Sequence, residues 1–236
     1  MSNKMIIWLL LCLIFSCKKD IVNKSLVKEL EPFDQIELND VFDVYIDEDS
    51  IFSVEVYGDE SYIEYVSYTI ANKILSIENK RKVIWKTPKR NKIVLYIKSP
   101  ELSKIKAAGG CNIKTLSPIT SKDIGLILTG KASQANLELD CDRFYYWNHF
   151  PTGGKLTLSG NTERLDIWNF AIMPVDAKNL TARTATIENS SEGDCEVRVL
   201  DKLEYSIKGS GNIHLYGATK EIIEKELSSS GLLIQH

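Results

Sequence analysis

Six times in a row this chain repeats the pattern apolar-x-apolar-x-(Gly or Asn), and that repeat limits its fold more than any other feature. The matches are Ile105-Lys-Ala107-Ala-Gly109, Leu126-Ile-Leu128-Thr-Gly130, Phe144-Tyr-Tyr146-Trp-Asn148, Leu165-Asp-Ile167-Trp-Asn169, Ala185-Thr-Ile187-Glu-Asn189 and Tyr205-Ser-Ile207-Lys-Gly209. Their terminal residues lie 21, 18, 21, 20 and 20 positions apart. Period-two alternation marks each match as a short strand. Gly and Asn tolerate positive φ, so each match is expected to end in a sharp corner. After each corner comes a second strand, whose inward pairs are Cys111/Ile113, Leu137/Leu139, Leu156/Leu158, Val175/Ala177, Cys195/Val197 and Ile213/Leu215.

A unit this small cannot bury its own apolar face, so the units must stack. The spacing predicts an all-β fold: a parallel β-helix, or β-solenoid, with rungs of about 20 residues. A leucine-rich repeat is excluded because its consensus is missing. The glycine-dense run Gly209-Ser-Gly-Asn-Ile-His-Leu-Tyr-Gly217 is then a corner. A phosphate loop would need a helix behind it, and here another strand-like run follows.

Residues 31–100 lack this period and read as alternating strands, with turns at Asp47–Ser50 and Ala71–Lys73 and one short helix within 59–66. This segment is expected to be an antiparallel cap on the array of residues 101–236, whose own end is closed by residues 219–231 as a helix or a last irregular rung. The first residues, MSNKMIIWLLLCLIFSCKKD, read as a signal peptide over 1–16 whose apolar run is too short for a comfortable bilayer span. Ser16-Cys17 resembles the lipobox of bacterial lipoproteins, so Cys17 is expected to carry the lipid anchor, with residues 17–30 as a polar tether. A net charge of -3 and only short basic runs exclude nucleic acid as a partner. Behind the signal lie Cys111, Cys141 and Cys195, an odd number without CxxC or metal-ligand spacing, expected as buried free thiols.

No motif for a cofactor, a metal or a nucleophile stands out. The acids Asp40, Asp43, Asp47, Glu48 and Asp49 lack the EF-hand spacing. His149, His214 and His236 are far apart in sequence. Asp140, Asp142, Asp166 and Asp176 are the carboxylates available for a polysaccharide-cleaving scheme, but acids at outward strand positions are usually just solvated. The aromatic residues say more. If Phe144, Tyr146, Leu165 and Ile167 point inward, then Tyr145, Trp147 and Trp168 point outward, with the two indoles on adjacent rungs. Such a face is suited to sugar rings or a protein partner, unless the loops at 149–153 or 170–174 fold over it.

The Gly-Gly and Gly-Ser-Gly corners, the run GGKLTLSG followed by LDIWN and VDAKNL, and the ending LEYSIKGSGNIHLYG resemble the auto-transporter adhesin, head GIN domain family, over about residues 33 to 231. The sequence departs from it where Asn148, Asn169 and Asn189 replace the usual corner glycine. The resemblance implies a β-helical, non-catalytic envelope protein, of a kind common as lipoproteins of Bacteroidetes-type bacteria, with no catalytic residues to carry over. The expected function is that of an outer-membrane lipoprotein, facing the cell surface or the periplasm, which recognises a glycan or an envelope protein through Tyr145, Trp147 and Trp168. An envelope-stress sensing or scaffold subunit is the second reading, and a polysaccharide-active enzyme the third.

Overall fold

The computed structural model describes residues 22–81, 92–148, 153–170 and 172–236. In chain order the elements are β1 (Asn23–Glu29), β2 (Gln35–Leu38), β3 (Asp43–Glu48), β4 (Ser53–Asp59), α1 (Glu60–Ile63), β5 (Val66–Ala71), β6 (Ile74–Asn79), β7 (Val94–Ser99), β8 (Lys104–Ala107), β9 (Asn112–Thr115), β10 (Asp123–Leu128), β11 (Ala132–Asn148), β12 (Gly153–Asn169), β13 (Val175–Asn189), β14 (Cys195–Ile207), β15 (Ile213–Tyr216), β16 (Glu221–Leu227) and β17 (Leu233–Gln235). They wind into a β-solenoid with two faces. One face runs β5-β6-β2-β8-β10, continues through the second halves of β11 to β14, and ends at β16. The other runs β1-β4-β7-β3-β9, then the first halves of β11 to β14, then β15 and β17. All pairs are parallel except β1–β4, β4–β7 and β5–β6, which close the N-terminal end.

Alternation puts one apolar stripe from each face into a single continuous core. Every inward pair expected from the repeat is buried, Cys111 and Cys195 among them, and Cys141 is buried as well. All three thiols are free. The helix is the single turn α1, started by Asp59, whose carboxylate accepts the Ser61 amide at 3.0 Å. Asn72 and Lys73, at φ 52° and 62°, form the tight β5–β6 turn.

Three expectations change. The segment before residue 100 is not a cap alone: β2 and β3 form a parallel rung lodged between β6/β7 and β8/β9. Residues 23–29, expected as tether, form the exposed edge strand β1. The third change concerns the corners. Among the described residues positive φ occurs at Asn72, Lys73, Gly154, Gly160 and Gly217, and at none of the six repeat corners. Close stacking of the chain demands glycine there instead: a Cβ on Gly130 would lie 2.2 Å from the Gly109 carbonyl oxygen, and one on Gly209 2.1 Å from that of Ser191.

The three corner asparagines turn inward, fully buried, and link consecutive rungs. Asn148 Nδ2 donates to Asn169 Oδ1 at 2.8 Å, and Asn169 Nδ2 donates to Asn189 Oδ1 at 3.3 Å and to the Met173 carbonyl at 2.9 Å. Asn189 Nδ2 donates to the Gly193 and Gly211 carbonyls at 3.1 and 3.0 Å. A buried amide side chain is tolerated because its donors and acceptors are matched by neighbours on the next rung.

Candidate functional site

On the outer surface of the first face, parallel in-register pairing aligns one residue per rung. One column runs Gln35, Lys104, Gly125, Tyr145, Asp166. The next runs Glu37, Lys106, Ile127, Trp147, Trp168, Glu188. The two indoles are therefore direct register partners, as the repeat predicts, and Tyr145, Trp147 and Trp168 are all half-buried.

Tyr145 lies over Gly125, where a Cβ would come within 1.9 Å of the phenol Cζ and 2.3 Å of its hydroxyl oxygen. The missing side chain lets the ring lie flat along the sheet and point toward the rung of Lys104. Burial, and next the charge of Asp123, raise the Tyr145 hydroxyl above its ordinary pKa, so it remains a donor at neutral pH.

Arg143 braces the ring. Its guanidinium sits 5.3 Å from the Tyr145 centroid, donates through Nε to Asp166 at 2.8 Å and through Nη1 to Asp123 at 3.2 Å. The Asp166 carboxylate has no exposed surface and also accepts from Arg164 Nε, at 3.0 Å to each oxygen. A buried carboxylate held by two guanidiniums is compensated, and it fixes both arginines in place. Hydrogen bonding to Asp166 raises the Arg143 pKa still further.

Between these groups opens a shallow groove of about 490 Å³, lined by Gln35, Ser103, Lys104, Asp123, Arg143, Tyr145 and Trp168. Two of the three aromatic residues singled out in the sequence line it; Trp147 is beside Trp168 but not in the lining. Lys104, Asp123, Arg143, Ser103 and Gln35 were missed. The 21- and 20-residue steps from Lys104 through Gly125 to Tyr145 carried a signal for Lys104, whereas Gln35 enters from a rung outside the repeat.

Elsewhere the candidate residues are scattered or engaged. Asp140 and Asp142 line a shallow corner cavity of about 310 Å³, Asp166 is locked between arginines, and Asp176 lies on the opposite face between Lys155 at 2.9 Å and Lys178 at 3.5 Å. The four aspartates are not brought together. Asp40 accepts the Asn79 amide at 2.7 Å, Asp43 pairs with Lys92, Asp47 and Asp49 with Lys98, and Glu48 accepts from Thr120 and Ser121. His214 and His236, far apart in sequence, meet one rung apart with Nδ1 of the first 2.9 Å from Nε2 of the second. Their separation of 22 residues, close to the rung period, was the available clue. Among the described residues, no group of three or more His, Cys, Asp or Glu is placed to hold a metal, and no helix is long and apolar enough to cross a membrane. Cys17, the segment 1–16 expected as a signal peptide, and His149 lie outside the described residues.

Residues 32–219 match the family model described as "Putative auto-transporter adhesin, head GIN domain". Comparison with curated proteins finds no match. Among solved structures, a protein described as a putative adhesin from Bacteroides fragilis NCTC 9343 superposes with a TM-score of 0.84 at 15% identity, covering 91% of this chain and 97% of the other. A putative adhesin from Parabacteroides merdae ATCC 43184 gives 0.64 at 20% identity, covering 91% and 96%. One from Parabacteroides distasonis ATCC 8503, described as a putative lipid binding protein, gives 0.66 at 16% identity over the same shares. At these identities the likeness establishes the fold.

Proposed function

The chain belongs to the auto-transporter adhesin, head GIN domain family, and on that premise we propose that it works by binding at the cell envelope, using the groove and aromatic face around Tyr145, Trp147 and Trp168 to hold a glycan or a glycoprotein. The observation that carries this reading is the Tyr145 ring laid flat on Gly125 beside Trp168. Half-exposed aromatic rings, held rigid by packing and by an arginine brace, lose little freedom when a partner settles on them. In this reading Cys17 anchors the protein to the outer membrane by its acyl chains. No catalytic constellation is invoked.

The test is binding to an array of glycans and glycoproteins by the wild type and by Tyr145→Ala, Trp147→Ala and Trp168→Ala. Tyr145→Ala and Trp168→Ala should weaken binding about tenfold or more, the loss of an aromatic anchor. Thermal melts should change little, because these side chains lie outside the core. Mutants that melt early yet bind unchanged would mean that the aromatics are packing residues and that binding lies elsewhere. Protease accessibility on intact cells separates a surface adhesin from a periplasmic subunit.

A further inference from the structure

The groove contains more than an aromatic floor. Two polar groups that line it lack a polar partner among the described residues: the Lys104 ammonium makes no ion pair or hydrogen bond, and the Tyr145 hydroxyl makes no hydrogen bond. Each can engage a group from outside without giving up a bond within the chain. Charge adds a second constraint. Around the groove Lys104, Arg143 and Arg164 face Asp123 and Asp166, and both carboxylates are taken up by the arginines. Lys104 is left as a surplus positive charge on a chain whose net charge is -3.

We infer that the groove takes an acidic saccharide, a pyranose unit bearing a carboxylate; this rests on the proposed binding role of the same face. The C–H bonds of a pyranose face carry partial positive charge and lie on the negative face of the Tyr145 ring and against Trp168. Lys104 is two rungs below Tyr145, on the order of 10 Å along the column, so a sugar on the phenol directs its carboxylate, or that of its neighbour, to the ammonium. The Tyr145 hydroxyl donates to a ring or carboxylate oxygen. A simple inorganic anion would satisfy Lys104 but leave the aromatic floor unused. A neutral sugar would use the floor but leave the lysine uncompensated.

The experiment is calorimetric titration with an oligogalacturonate, a hyaluronan oligosaccharide and the carboxyl-reduced form of each, using the wild type, Lys104→Gln and Trp168→Ala. The wild type is expected to prefer at least one acidic form over its reduced counterpart by about tenfold, the size of one charge-assisted hydrogen bond. That preference should shrink as salt is raised. Lys104→Gln should bring the two forms within about twofold of each other while leaving affinity for the reduced form unchanged, and Trp168→Ala should weaken both forms alike. Thermal melts of both variants should match the wild type. Equal affinity for acidic and reduced forms in the wild type, or a preference that survives Lys104→Gln, overturns the acidic class; if Trp168→Ala still abolishes binding, the aromatic site itself stands. Failure of every probe to bind overturns the saccharide inference, and the array of glycans and glycoproteins then decides whether the face binds anything.

Discussion

Replacing Asn169 with alanine should be among the most damaging single changes in the array, although it removes no apolar side chain. Asn169 is the middle member of the buried amide ladder. Its Oδ1 accepts from Asn148, and its Nδ2 donates to Asn189 Oδ1 and to the Met173 carbonyl. Alanine leaves an amide donor, an amide acceptor and a backbone carbonyl without these partners in a site with no exposed surface. Each such group costs about 1–3 kcal/mol, and partial relaxation brings the sum to about 3–5 kcal/mol. That is a large fraction of a total stability of about 5–15 kcal/mol. With a urea slope of about 2–3 kcal/mol/M, the midpoint should fall by roughly 1–2 M. The control is Thr186→Ala, at a half-buried outward position of β13, where the change should stay within about 0.5 kcal/mol. Asn169→Asp adds a sign test. A carboxylate there would face the acceptors Asn189 Oδ1 and Met173 O, so the folded state raises its pKa above the unfolded value of about 3.9. The penalty is then present at pH 7 and lessens as pH falls through the raised folded value. If Asn169→Ala unfolds at the same urea concentration as Thr186→Ala, the ladder contributes nothing and the argument is wrong.

Gly209→Val should lower the urea midpoint far more than Lys208→Val, by about 2 kcal/mol or more, because its Cβ is forced against the Ser191 carbonyl while Lys208 gives up only surface ion pairs with Glu188 and Glu226; equal midpoints would refute the close stacking of the corners. Burial pushes the Cys111 thiol up to about 11 and the Cys195 thiol up to about 12 and raises that of Cys141, so all three should resist iodoacetamide at pH 8 until urea unfolds the chain, as peptide mass spectrometry will report. Cys17→Ala should abolish labelling by a fatty-acid analogue and release the protein from membranes; retained label would remove the proposed anchor.

The solenoid was legible because parallel in-register stacking forces residues about 20 apart onto one column, so that inward pairs such as Leu156/Leu158 and the outward partners Trp147 and Trp168 follow from the repeat alone. The rung formed by β2 and β3 was not, since Gln35 pairs with Lys104 across 69 positions and with Ile74 on its other side, contacts that no local period encodes. At the corners the glycines were recognised for the wrong reason. Positive φ is a local property, whereas the closeness of Gly130 to the Gly109 carbonyl depends on the neighbouring rung. The asparagines likewise passed for turn formers because hydrogen bonding between rungs cannot be read from one corner at a time. In the groove, the aromatic residues were visible from alternation, but the unpartnered Lys104 becomes notable only when its neighbours are known.

The interleaved rung of β2 and β3 divides the molecule into parts that obey different rules of assembly. From β10 onward each rung lies on the one made just before it, so closing a turn brings together residues only about 20 apart, and growth can proceed one turn at a time. Before that point, β2 and β3 need β6 and β7 on one side and β8 and β9 on the other, so residues 35–115 must close as a single long-range unit. The chain therefore has a foundation that cannot be shortened without breaking its topology, and above it a stack whose height is free to vary by whole turns. Lengthening or trimming that stack beyond β12 would change its height by whole turns while leaving the foundation, and the groove that runs from β2 and β8 onto β10, β11 and β12, unchanged.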